Sequence, residues 1–121
     1  MTYDEFNNFC DSLLATTHII QWGGSDVWKI GGKVFAIGGW EKNKEPAFTF
    51  KTSELDFNIL KDEPGFRPAP YMASRGLKWI QQYQALKDTD DEIKHYLEES
   101  YYLVSKGLTK KLQKELGLNQ G

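Results

Sequence analysis

The residues able to do chemistry are few: one cysteine (Cys10), two histidines (His18 and His95), and acidic pairs such as Asp62-Glu63 and Glu98-Glu99. A thiolate nucleophile needs a neighbouring base, and a structural or catalytic metal needs several ligands at fixed spacing. Cys10 falls on an apolar helical stripe between Phe6 and Leu14, where a thiol acts as a small buried hydrophobe. His18 opens a β-branched run with no cysteine or acid at ligand spacing, and His95 stands mid-helix between Lys94 and Tyr96, so both read as surface residues. Three Gly-Gly pairs punctuate QWGGSDVWKIGGKVFAIGGW, but they make no phosphate loop. Val34 follows Gly32-Lys33 where Ser or Thr is required, and Val27 occupies the position of the upstream glycine. The acidic pairs read as solvated faces. The expectation is a non-catalytic protein without metal or cofactor.

Composition bounds the class. A chain of 121 residues fits one domain spanning 1–121, large enough to bury a core without staples. A single cysteine excludes an internal disulfide and fits a reducing compartment, so a cytoplasmic location is expected. The acidic N-terminus MTYDEFNNFCDSL is no signal peptide, and no apolar run approaches a membrane span. The net charge of −2 hides an asymmetry: residues 26–87 carry ten bases and seven acids, whereas both flanks are net acidic. The basic middle coincides with the strands and loops, so any polyanion would meet the protein there.

The elements follow from periodicity and punctuation. Thr2 and Glu5 form a capping box for an amphipathic helix over Tyr3–Leu14, and Thr16–Trp22 then switches to strand residues. Gly31-Gly32 predicts a two-residue hairpin turn joining Asp26–Ile30 to Lys33–Gly38. Strict alternation puts Phe35 and Ile37 on one face of the second strand, Val34 and Ala36 on the other. A polar loop at Glu41–Glu45 precedes a strand at Ala47–Lys51, and Ser53 caps a short helix, Glu54–Leu60. Pro68 and Pro70 bar Phe66–Arg75 from a central strand, leaving an ordered loop or edge segment before a last strand, Leu77–Tyr83. Thr89 and Glu92 predict a second capping box for the helix Asp90–Lys106, with Gly107 as its left-handed stop and a weaker helical stretch in Leu108–Leu118. Apolar stripes on both long helices and alternation in the strands predict an α+β fold of two layers. A twisted antiparallel sheet carries the N- and C-terminal helices on one face, and Phe6, Phe35, Ile37, Trp79, Leu97 and Tyr101 form a shared core.

Several segments carry a resemblance: VWKIGGKVFAIGGW, FTFKTS entering a helix, PAPYMASRGLKW leading into the last strand, and EESYYLV in the terminal helix. In this order, with Lys33 and Phe35, Trp79, and Ser100-Tyr101 as the most specific pieces, the chain from Tyr3 to about Lys111 resembles the YjbR/MmcQ family of small bacterial proteins. The resemblance implies a CyaY- or frataxin-like fold and DNA binding through a double-wing surface of sheet and loops. The acidic row Asp4, Glu5, Asp11 is too thin for the iron-binding ridge of a frataxin. Joined to the charge asymmetry, the resemblance points to DNA as partner, bound weakly and with little sequence choice by a monomer on the open face of the sheet and its hairpin. The expected contacts are Lys29, Lys33, Lys51, Arg67, Arg75 and Lys78, with Trp28 and Trp40 for stacking. The alternatives are a protein-interaction module with no nucleic-acid role and a small-ligand role.

Overall fold

The computed structural model describes residues 1–40 and 45–121, so all of the expected polar loop except Glu45 lies outside the described residues. The chain runs α1 (Tyr3–Asp11), β1 (Thr16–Gln21), β2 (Ser25–Ile30), β3 (Lys33–Gly38), β4 (Phe48–Lys51), α2 (Glu54–Leu60), β5 (Phe66–Pro68), a 3₁₀ turn (Ala73–Arg75), β6 (Trp79–Gln82), α3 (Asp90–Lys106) and α4 (Lys110–Leu116). The six strands form one antiparallel sheet in the order β1-β2-β3-β4-β6-β5. This is the expected α+β architecture. α1 and α3 lie across the middle of one face, over β1 to β4, and α2 closes the β5–β6 end of that layer.

Local signals explain most boundaries. Thr2 Oγ1 accepts from the Glu5 amide at 3.1 Å and Glu5 Oε1 from the Thr2 amide at 3.0 Å, so the first capping box forms. Ser53 Oγ likewise accepts from the Asp56 amide and starts α2. Gly31 and Gly32 take φ of 58° and 82°, the pair of positive values a tight I′ hairpin requires. α1 stops three residues short of Leu14 because Ala15, at φ 63°, turns the chain into β1. Tyr101 pins that turn from the opposite end of the chain by donating to the Leu14 carbonyl at 2.7 Å. Pro68 sits where proline is tolerated, on the edge strand β5.

Four expectations fail. The register between β2 and β3 slips at Trp28/Lys29, so Phe35 is an extra residue, a β-bulge, and alternation does not run through it. Phe35 and Ala36 therefore both belong to the helix-covered core, while Ile37 leaves it for the opposite face. Trp79 also leaves the expected core: its neighbour Ile80 is the helix-facing residue of β6, and only Phe6, Phe35, Leu97 and Tyr101 of the six predicted residues pack together. The α3 N-terminus lacks the capping box, since Thr89 is buried and its side chain caps nothing. Gly107 ends α3 in a right-handed conformation, and the left-handed stop is Gly117 after α4, at φ 74°.

Candidate functional site

The helix-free face is organised by a row of paired residues crossing all six strands. Ile19 faces Val27, Val27 faces Ile37, Ile37 faces Thr49, Thr49 faces Gln81 and Gln81 faces Arg67. Val27, Ile37, Thr49 and Gln81 are fully buried yet lie outside the helix-covered core cluster. Gln81 is held at both ends of its amide: Nε2 donates to the Trp40 carbonyl at 2.6 Å, and Oε1 accepts from Arg67 Nε at 2.9 Å. Gly39, at φ 88°, turns the chain off the end of β3, so that the Trp40 carbonyl reaches over β4 to β6. Among the described residues, Thr49 Oγ1 is the buried side-chain atom with no hydrogen-bond partner, a polar spot in an apolar row.

An aromatic strip lies over one end of this row. The Trp40 ring has Trp22 on one side, centroids 6.0 Å apart, and Tyr71 on the other at 5.8 Å. Trp22 keeps 51% of its surface exposed and Tyr71 66%. Both residues have positive φ, 50° and 67°, so tight turns carry both rings. Alternation from the helix-facing Trp28, Ile30, Phe50 and Phe66 assigns Lys29, Lys51 and Arg67 to the same face as the strip. Lys29 and Lys51 form no ion pair among the described residues, and Arg67 also lies over the Tyr83 ring at 5.0 Å.

The eight expected contact residues are thus divided. Lys29, Lys51, Arg67 and Trp40 come together on the open face. Arg75 is exposed in the 3₁₀ turn that follows Tyr71. Trp28 does not belong there: it is 4% exposed on the helix side and donates from Nε1 to Asn7 Oδ1 at 2.9 Å, so it has no face free to stack. Lys78 is also displaced, its ammonium 4.8 Å from the Phe57 ring against α2. Lys33 pairs with Ile30 and so shares the helix-facing side at the hairpin tip. Sequence reasoning missed Trp22 and Tyr71. A signal existed for the first: Trp22-Gly23-Gly24 and Gly38-Gly39-Trp40 each put a tryptophan beside a glycine pair, at the same end of the hairpin.

The potentially reactive side chains sit on three different elements, α1, β1 and α3. Cys10 is fully buried between α1 and the sheet, and burial pushes its thiol far above the ordinary range. The native protein should therefore resist a thiol-specific disulfide reagent at pH 8 and react with about one equivalent only once unfolded; rapid labelling of the folded chain would contradict this placement. His18 Nε2 lies 2.8 Å from Asp26 Oδ1, with its ring against Trp28. His95 packs beside Tyr96 and makes no ion pair among the described residues, despite Asp91 four residues before it and Glu99 four after. Among the described residues no three His, Cys, Asp or Glu side chains group as metal ligands, and no helix is long and apolar enough to cross a membrane.

Fold and face together define a small α+β domain with helices on one side of an antiparallel sheet and an aromatic, cation-flanked surface on the other. The YjbR family model matches residues 11–103, and the chain belongs to the YjbR family. Its fold is similar to the crystal structure of the Deinococcus radiodurans protein DR2400, assigned to family DUF419. The TM-score is 0.83 at 22% sequence identity, over 97% of this chain and 88% of that one. No curated protein matches the chain at a significant level. The family span stops within α3, so α4 and its lysines lie beyond it.

Proposed function

We propose that the protein binds nucleic acid, with DNA as the partner that the family resemblance implies, on the helix-free face of the sheet and without catalysis. The observation that supports this best is the coincidence on one face of the Trp22–Trp40–Tyr71 strip with Lys29, Lys51 and Arg67. Stacking on aromatic rings is available to every base, and the cations meet phosphates, so the arrangement favours unpaired strands and reads little sequence.

Fluorescence anisotropy with labelled single- and double-stranded DNA over a salt series tests it. Three neutralised phosphates give a slope of log K against log salt of about −2 for a single strand, and the dissociation constant near 50 mM salt should fall at about 10–100 μM. Lys29→Glu and Lys51→Glu should each flatten the slope by at least about 0.7. Lys78→Glu, whose ammonium lies over Phe57, should leave it alone. No binding at ~100 μM protein rejects the reading, since nonspecific affinity normally falls within that range.

A second reading, a protein-interaction module, draws on β1. This edge strand carries exposed Ile19 and Ile20 and no Lys, Pro or bulge to guard it, unlike the three-residue, proline-bearing β5 at the other edge. Its occupant would be an added strand from a partner, and Ile20→Lys would abolish capture of that partner while leaving DNA binding intact.

A further inference from the structure

The helix-covered side holds a separate cavity of about 210 Å³, between the start of β5, the end of β6 and the first turn of α3. Phe66, Pro64 and Leu86 supply apolar walls, while Gln82, Thr89, Glu63 and Glu92 supply polar ones. The cavity owes its polar lining to the missing capping box. In such a box Thr89 would hold the start of α3 and Glu92 would turn back onto it. Here Thr89 Oγ1 instead accepts from Gln82 Nε2 at 2.7 Å, and Asp88 Oδ1 takes the Asp90 amide at 3.3 Å. Glu92 is released, and its carboxylate, like that of Glu63, makes neither a hydrogen bond nor an ion pair among the described residues. Gln82 is 3% exposed and lines the cavity; its Nε2 donates to Thr89, and its Oε1 accepts no hydrogen bond among the described residues.

The loop that shapes the wall is tightly set. Gly65 lies at φ 87°, its carbonyl accepts from the Tyr83 and Gln84 amides, and a Cβ there would collide with the Gln84 carbonyl oxygen. The Tyr96 hydroxyl nearby is pushed up first by burial and then by the negative charges of Asp56, Glu92 and Glu63, an independent sign of the local field. Among the described lining residues Lys87 is the one cation, against two carboxylates.

We propose that this cavity binds a small organic cation, a primary ammonium on a short apolar chain. The ammonium's three donors match Gln82 Oε1 and the carboxylates of Glu63 and Glu92, and the chain would lie against Phe66 and Leu86. At about 30 Å³ per water-sized group the space holds about seven non-hydrogen groups, which fits an alkylamine and excludes a nucleotide.

The test is an amide NMR titration of the whole chain with n-butylammonium, and with n-butanol and butyrate as neutral and anionic controls. Saturable shifts should centre on the Gln82 side-chain amide and the Thr89 and Glu92 backbone amides, with a dissociation constant of about 1 mM, modest for a five-atom ligand. Glu63→Gln with Glu92→Gln, both exposed and tolerant of exchange, should weaken it about tenfold. Butanol binding as tightly as the amine, an undiminished affinity in the double variant, or no saturation by about 20 mM overturns the proposal. None of these results bears on the opposite face, where DNA binding is measured separately.

Discussion

Phe35→Ala is expected to lower the stability of the fold by about 3–5 kcal/mol in denaturant unfolding. Phe35 is fully buried at the centre of the helix-covered core, edge-to-face with Tyr101 at 5.5 Å and 77°. Truncation removes the transfer energy of the ring, leaves a cavity between β3 and α3, and forfeits a ring pair worth about 0.5–1.5 kcal/mol. Bulge geometry adds to the effect. Because Phe35 is the extra residue of β3, it and Ala36 both turn toward the helices, and collapse around an alanine would mean moving a strand already kinked at that point. Val34→Ala, one residue earlier and half-buried opposite Lys29, should cost less than about 1 kcal/mol. Similar losses at the two positions would mean that the bulge does not direct Phe35 inward.

That bulge also marks the limit of what the sequence disclosed. Elements announced by local chemistry were legible: the Thr2/Glu5 box, the Ser53 cap, the Gly31-Gly32 turn, and the bounds of Lys33–Gly38 all depend on atoms within a few residues of one another. Face assignment was not, because a period of two holds only while the register holds. One unpaired residue sent Ile37 to the open face and with it the view of which side was core. Thr89 shows the same limit at a cap: its hydroxyl had two suitors, and the one seven residues back at the end of β6, Gln82, prevailed over the one three residues on. For the candidate face, the basic residues of β2, β4 and β5 were legible from charge and alternation. Trp28 was misplaced because an aromatic in a strand says nothing about which layer it fills, and Asn7, its partner, is 21 positions away.

Ser100→Ala is expected to cost about 2–4 kcal/mol, far above the usual value for a serine in a helix. The β3–β4 ladder pairs Ala36 with Phe50, and the next step would set Phe35 against Lys51. The bulge at Phe35 ends the ladder one step early, and the Ser100 hydroxyl fills the gap. It donates to the Phe35 carbonyl at 2.6 Å and accepts from the Lys51 amide at 2.9 Å, relaying between strands the bond they do not make directly. Alanine leaves a carbonyl and an amide unpaired in a region from which water is excluded, at about 1–3 kcal/mol each. Ser105 is the control, equally buried on the same helix but bonded back to its own Tyr102 carbonyl at 2.9 Å; it also accepts at 3.3 Å from Asn119, whose amide keeps Gln113 Oε1 at 2.9 Å, so Ser105→Ala should cost about 1 kcal/mol or less. Because the relay ties α3 to both central strands, Ser100→Ala should also expose the Lys51 amide to hydrogen exchange while leaving the amides of the β1–β2 pair protected. If Ser100→Ala costs no more than Ser105→Ala, or Lys51 stays protected, the hydroxyl is not what joins the strands. The Ser100-Tyr101 pair would then owe its place to Tyr101 alone, through its ring on Phe35 and its hydroxyl on Leu14.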